Sequence, residues 1–345
     1  MLLYKRMLSR GSKFISLIYD GDVIKYFTSF DVEDGFLILH NGKKYLFLDK
    51  RYYYSALNNA DANVVLVDEN SLKTFISENG VDTVGIIYSL TPVSAYLTLT
   101  SLGVTVVDVE ADINKIRSVK NEGEINLIKK AQQICETSLS KTFKFIKLGV
   151  TEKEVASYLE YQFKLNGADG TSFETIVAFN ENSSVPHHKT SDKVLTENSV
   201  VLIDCGVKYR GYCSDTTRTF YFGTPSDEFI KAYNAVLTAH NLVATNVTNG
   251  TTGVEADAIA RNYLTKNGYG EYFTHGLGHG VGVKIHESPR LSTKSVDTLT
   301  NGNCFTIEPG VYFDGKFGIR IEDTVCLVDG KVVSFNTLTK ELFTV

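Results

Sequence analysis

Runs of apolar and polar residues alternate along the chain, and their period changes with position. Residues 36–49 read FLILH-NG-KKYLFLD, two strand-length apolar runs joined by Asn41-Gly42. That dipeptide readily supplies the two positive φ angles of a type I′ turn, so the segment predicts a β-hairpin. Further strand-length runs fall at NVVLVD (63–68), TVGIIYS (83–89) and VTVVDV (104–109), with helical stretches between them. Residues 1 to about 115 therefore predict a mixed α/β amino-terminal domain. Residues 112–145 then turn charged and helical, without a Gly/Ser/Pro-rich tether. A second domain is expected to begin near Ser118 and to be joined through a packed helix, which gives domains of 1–117 and 118–345.

The second domain repeats itself. GVTEKEVASYLEYQFKLNG (149–167) matches GTTGVEADAIARNYLTKNG (250–268) at an offset of 101, pairing Thr151 with Thr252, Glu154 with Glu255 and Asn166 with Asn267. Both copies read as a helix stopped by Asn-Gly. Further on, IDCGV (203–207) matches IEPGV (307–311) at an offset of 104, and a carboxylate falls at the same place in each. Two matches in the same order favour a duplicated, pseudo-twofold domain over chance likeness between amphipathic helices.

Each copy then carries a pair of acids. VVLIDCGVKYRGYCSDTTRTF (200–220) reads as two strands around a turn at 208–211, and the midpoint of Asp204 and Asp215 falls between Tyr209 and Arg210. In a regular hairpin these two become cross-strand neighbours. In FTIEPGVYFDGKFGIRIEDT (305–324), Glu308 and Glu322 are centred on Gly315 in the same way. The flanking runs are apolar, and facing carboxylates repel unless one is protonated or a cation lies between them. A metal ion is the simplest compensation; bonds to Arg210, Arg218 or Arg320, or exposure to solvent, are the alternatives.

Between the hairpins lies HGLGHGVGVKIH (275–286), four glycines and three histidines in twelve residues. A phosphate-binding loop would follow a strand, open a helix and carry Lys-Ser/Thr. Here VGVKIHESP reads on as a strand to Pro289, and no such pair follows. Histidine beside hard carboxylates instead suits a first-row divalent ion.

Composition excludes little but narrows the partners. Hydrophobic residues at 43%, charged residues at 22% and a formal net charge of -5 fit a globular protein and ask for neither nucleic acid nor an anionic membrane. Residues 1–14 have no apolar stretch long enough for a signal peptide, and no window reaches the roughly 18 apolar residues of a membrane span. Five scattered cysteines without a CxxC pair point to a reducing, cytoplasmic compartment.

In IDCGVKYRGYCSDTTRT, HGLGHGVGVKIHE, TIEPGVY and GIRIEDT the chain resembles the pita-bread metallopeptidases, the family of aminopeptidase P, prolidase and methionine aminopeptidase. The resemblance covers about residues 118–345. It implies an α/β (α+β) protein with a carboxy-terminal pita-bread (creatinase/aminopeptidase) fold of pseudo-twofold symmetry, preceded by a smaller creatinase-type domain that serves in dimerisation and in limiting substrate length.

The same resemblance implies two divalent metal ions per subunit. Asp204 would hold one, Asp215 and Glu322 would bridge both, and His279 and Glu308 would complete the second site, with a bound hydroxide as nucleophile. Manganese suits the oxygen-rich set, with cobalt or zinc as alternatives. His187 matches a histidine that assists at the leaving group, His286 a proton-shuttling one, and His275 a residue lining the substrate pocket. Arg290 matches an arginine at the far end of the substrate in prolidase-like members; a surface ion pair is its other reading. Arg320 would orient the acids and Tyr212 would support substrate binding.

NKIRSVKNEGEINLIKKA (114–131) is similar to the domain junction of prolidase and aminopeptidase P, and methionine aminopeptidases generally lack the first domain. The expected substrate is a peptide with proline second. Its scissile bond is a tertiary amide that general peptidases handle poorly. The expected assembly is a homodimer. The rivals are a methionine aminopeptidase-like enzyme and a metal-free binding protein on the same fold.

Overall fold

The computed structural model describes residues 11–345. The sequence reading of the amino terminus as lacking a signal-peptide core lies, for residues 1–10, outside the described residues. The chain divides into two compact units, Met1–Arg117 and Ser118–Val345.

The first unit is a mixed six-stranded sheet in the order β4-β3-β2-β1-β5-β6. The strands are β1 (Phe14–Ile18), β2 (Phe36–His40), β3 (Lys43–Leu48), β4 (Asn63–Leu66), β5 (Thr83–Ile86) and β6 (Thr105–Asp108). Asn41 (φ 46°) and Gly42 (φ 77°) form the two-residue turn, and His40 pairs with Lys43 across it. Alternation along β2 explains why the whole strand is buried. Leu37 and Leu39 pack beneath α1 (Gly21–Thr28), while Phe36 and Ile38 pack with Ile76 of α3 (Ser71–Glu78) and Leu99 of α4 (Val93–Ser101). The central strand β1 is absent from the sequence reading, because FISLI is only five residues long and is broken by Ser16. The helix α2 (Lys50–Asn59) follows β3, and α5 (Glu110–Ser118) ends the unit.

The second unit opens with α6 (Glu122–Phe143), whose Asn121 cap and Glu124 form a reciprocal capping box. The charged stretch of the sequence is thus two helices, α5 and α6, separated at residues 119–121. The duplication is visible in backbone bonds. The helix α7 (Glu152–Leu165) and the helix α9 (Gly253–Lys266) start in the same way, with capping boxes from Thr151 to Glu154 and from Thr252 to Glu255. Gly149 donates to the Leu195 carbonyl as Gly250 does to Leu299, and Glu152 N donates to Lys193 as Gly253 N does to Asp297. The offsets are the 101 and 104 residues of the sequence match.

In the first half the sheet β12-β9-β8 comprises β8 (Ile176–Phe179), β9 (Ser199–Cys205) and β12 (Thr216–Phe222). A second small sheet joins β7 (Gly170–Thr171), β10 (Val207–Tyr209) and β11 (Tyr212–Cys213). In the second half α8 (Asp227–Asn246) and α9 pack together over β13 (Gly278–Gly280), β14 (Glu287–Leu291), β15 (Cys304–Ile307), β18 (Asp323–Val328) and β19 (Lys331–Ser334). The hairpin β16 (Gly310–Phe313) and β17 (Phe317–Arg320) completes it. Among the described residues no helix is long and apolar enough to cross a membrane.

Two sequence expectations need correction. The first acidic hairpin turns at Arg210 (φ 48°) and Gly211 (φ 81°), one residue later along the chain than the midpoint of Asp204 and Asp215. Asp204 therefore pairs with Thr217, and Asp215 sits diagonally from it on the same face. The turn is placed by glycine, which tolerates the second positive φ. VGVKIHESP is not one strand: residues 281–286 turn back, so β14 runs antiparallel to β13, with a bulge between His279 and Gly280.

The two capping boxes give a stability test. Thr151→Ala and Thr252→Ala should each cost about 1 kcal/mol. Lying in separate halves, they should add in the double variant. Urea denaturation followed by far-ultraviolet circular dichroism measures this. Unchanged midpoints would refute the capping role.

Candidate metal centre

The two acidic hairpins meet face to face. Thr217 Oγ1 donates to Glu322 Oε2 at 2.6 Å, Glu322 N donates to the Thr217 carbonyl at 3.2 Å, and Thr219 Oγ1 donates to the Arg320 carbonyl at 2.9 Å. In the second hairpin Ile307 pairs with Asp323 and Gly310 with Arg320. That register places Glu308 opposite Glu322, in the gap between the two strand pairs.

His279 reaches this gap because the glycines beside it are slim. A Cβ on Gly278 would strike the Thr306 carbonyl, and one on Gly280 the Ser288 carbonyl. The glycine-rich run thus lets β13 approach its neighbours closely enough to seat the imidazole among the acids. His279 Nε2 lies 3.5 Å from Asp215 Oδ2 and 3.3 Å from Glu308 Oε1. Ligand atoms of Asp215, His279 and Glu322 all lie within 4.8 Å of one another, and all three residues are buried.

The electrostatics are unfavourable for protein atoms alone. Burial raises the Asp215 carboxyl well above the ordinary carboxylate range, and repulsion from Glu322, Asp204 and Glu308 adds to it. Burial and the charges of Glu308 and Asp204 do the same to Glu322. Glu308 is pushed up to about 7, first by burial and also by Asp204, although Arg320 opposes the shift. His279 is lowered to about 3 by burial and by His286. Its Nδ1 faces the Gly280 carbonyl at 3.2 Å, which assigns the proton there and leaves a bare Nε2 lone pair toward two carboxylates.

Arg320 supplies one local cation. It donates to Asp204 Oδ2 at 2.6 Å and to Tyr312 Oη at 2.7 Å. The other Asp204 oxygen, Oδ1, is buried without a hydrogen-bond partner among the described residues. An orphaned carboxylate oxygen, a bare imidazole nitrogen and three carboxyls raised by burial and by neighbouring acids fit a site for divalent cations.

These groups line a cavity of about 680 Å³. Its walls also include His187, His275, His286, Arg290 and Arg320. The His286 ring meets the His279 ring edge to face with centroids 4.3 Å apart, and burial, Arg290 and His187 lower its pKa. His275 Nε2 lies 2.9 Å from Tyr312 Oη, and burial helps lower the ring to about 4. Arg290 sits opposite His279 on β14, and its backbone N–H donates to Asp297 Oδ2 at 2.7 Å. Tyr212 is the exception among the sequence candidates. It is not in the cavity wall, and its hydroxyl donates to Glu124 of α6 at 3.1 Å.

Three contributors escaped the sequence reading. Tyr312, on β16 and buried between His275 and Arg320, buttresses both. Phe173 and Ile176 form an apolar patch of the wall, and Ile176 pairs with Asp204 across β8 and β9. Nothing in their sequence context marks them.

Fold and site together define a metallopeptidase. Residues 126–329 match metallopeptidase family M24, residues 3–119 match the creatinase/prolidase N-terminal domain, and the chain belongs to this family of divalent-metal peptidases. An uncharacterized peptidase of Bacillus subtilis, YqhT, is 32% identical over 332 residues, 94% of each chain. The Xaa-Pro dipeptidase from Bacillus anthracis superposes with a TM-score of 0.95 at 32% identity, covering 100% of this chain and 98% of its own. The X-Pro aminopeptidase from Thermotoga maritima gives 0.92 at 33% identity, covering 99% of both.

The raised carboxyls fix a pH response for metal-stripped protein. A carboxyl with a raised folded pKa favours the fold while protonated. For Glu308 that contribution is present below the unfolded value of 4.5 and is lost as pH rises through about 7. Asp215 and Glu322 act in the same direction. Thermal unfolding of stripped and cation-loaded protein should show a gap in Tm that widens from about pH 5 to about pH 8. A constant gap would contradict the assignment.

Proposed function

We propose that the protein is a dinuclear, divalent-metal-dependent exopeptidase that hydrolyses the bond before proline in Xaa-Pro dipeptides. The observation that carries this reading is the convergence of Asp204, Asp215, His279, Glu308 and Glu322 on one cavity that also holds His187, His286 and Arg290. Asp204 would hold one ion, Asp215 and Glu322 both, and His279 and Glu308 the second. Manganese fits four carboxylates and one imidazole well. When bound, such a pair supplies a hydroxide at neutral pH and polarises the scissile carbonyl.

The chain's own residues do the rest. Thr217 and Arg320 orient the acids through their bonds to Glu322 and Asp204. His187 and His286 stand on the cavity wall, where they transfer a proton to the departing proline nitrogen. His275 is held by Tyr312 and lines the substrate pocket. Arg290 clamps the proline carboxylate, which favours dipeptides over longer chains. The similarity to the Xaa-Pro dipeptidase and the X-Pro aminopeptidase supports the proline specificity. The five buried thiols suit a reducing cytoplasm. The amino-terminal unit would serve in a homodimer and limit substrate length.

Offered Ala-Pro and Ala-Pro-Ala together, the manganese-loaded protein should release alanine from Ala-Pro first, as read by mass spectrometry of products. Equal or preferential cleavage of the tripeptide would point to an open, aminopeptidase-like pocket. Arg290→Ala should raise KM for Ala-Pro by about ten- to a hundredfold, the worth of a charged hydrogen bond, while hardly changing KM for Ala-Pro amide; equal effects on both would refute the clamp. Asp215→Asn should abolish both cation binding and turnover, and full activity in that variant would sink the metal assignment.

A further inference from the structure

Glu152 lies outside the cavity, at the first turn of α7, and its side chain is wholly buried. Five donors converge on its carboxylate. Phe179 N (2.7 Å) and Asn182 Nδ2 (2.9 Å) reach Oε1, while His188 Nε2 (2.9 Å), Ser191 N (2.9 Å) and Ser191 Oγ (2.6 Å) reach Oε2. Burial raises its pKa, yet the bonds from Ser191, His188, Phe179 and Asn182 outweigh it, and the carboxyl lies below its ordinary value. It is a charged hub.

All five donors belong to residues 179–191, the segment that leaves β8, makes a short 3-10 turn at Asn180–Ser184 and carries His187 into the cavity wall. The far side of this segment is tied to the centre itself. Gly318 N donates to Ser183 Oγ at 2.8 Å, and Arg320 Nη1 donates to the Pro186 carbonyl at 3.3 Å. His187 is exposed at the wall, so its place is set by the backbone around it. That backbone is clamped from one side by Glu152 and from the other by Arg320.

The duplication shows that this brace is a choice and not a by-product of the fold. The position corresponding to Glu152 is Gly253, where a Cβ would strike the Arg290 carbonyl and Ser295. In that half the Arg290 segment is held instead by Asp297, which accepts from Arg290 N, and by Ser295, which donates to the Arg290 carbonyl. Each half therefore carries its own brace for the segment it sends to the cavity.

We infer that Glu152 is a positioning residue for His187: it holds residues 179–191 so that the imidazole meets the reacting bond. The inference rests on the role given to His187 under the proposed function. Misplacement by about 1 Å can cost on the order of a hundredfold in rate. Glu152→Gln keeps the shape but sets an amide NH2 against donors on whichever side it lies.

The test is a double-mutant cycle on the cation-loaded full chain, with Glu152→Gln, His187→Ala and the double variant assayed on Ala-Pro. Glu152→Gln should lower kcat by about tenfold or more and leave KM and bound metal unchanged. In the His187→Ala background the same substitution should change kcat by less than about twofold, because the residue it positions is gone. Multiplying losses, or a kcat in Glu152→Gln equal to that of the parent, would overturn the inference. Full kcat in His187→Ala alone would instead overturn the role of His187, and the inference with it. Should Glu152→Gln fail to fold, Ser191→Ala removes one donor of the brace and enters the same cycle with the same expected outcomes.

Discussion

Mutual repulsion among four carboxylates, Asp215 and Glu322 buried and Asp204 and Glu308 half-buried, is the constraint on which the rest of the second unit depends. Asp204 arrives on β9, Asp215, Glu308 and Glu322 sit at the ends of β12, β15 and β18, and Thr217, Thr306 and Arg320 bond to Glu322, Glu308 and Asp204. One arginine cannot compensate four acids, and burial together with the neighbouring charges raises three of them. A fold that concentrates negative charge in this way leaves metal-free protein strained at neutral pH and makes cation binding a source of stability as well as of chemistry.

The duplicated scaffold explains how so costly an arrangement is kept in place. Two copies of a capped helix, a returning strand and an acidic hairpin pack so that each contributes two acids to one centre. The copies have diverged where they face the cavity. One sends His187 on a segment held by Glu152; the other sends His279, His286 and Arg290 on a glycine-rich segment that doubles back between β13 and β14. Shared backbone bonds keep the frame, and the side chains that line the cavity differ between the two halves.

Much of this was legible in the sequence, because the signals were local or repeated. Asn41-Gly42 announced its hairpin through φ preferences, and the offset matches exposed the duplication. Glu308 and Glu322 could be placed opposite each other since Gly315 marks the centre of their turn. The Asp204 hairpin misled by one residue, since Arg210 takes a positive φ that sequence patterns rarely assign to arginine. Strand β1 was too short to stand out. Glu152 and Tyr312 were illegible as contributors because their partners lie 27 to 39 and 8 to 37 residues away along the chain. Long-range pairing of that kind leaves no periodic trace.

The most direct test of the central claim is a manganese titration of the metal-stripped protein followed by electron paramagnetic resonance. If the four carboxylates and His279 hold a pair of ions, binding saturates at two equivalents per chain. The signal of the first ion then gives way to an exchange-coupled spectrum as the second arrives, as expected for ions about 3.5 to 4 Å apart. Saturation at one equivalent with an uncoupled signal, or no binding at all, would contradict the dinuclear account.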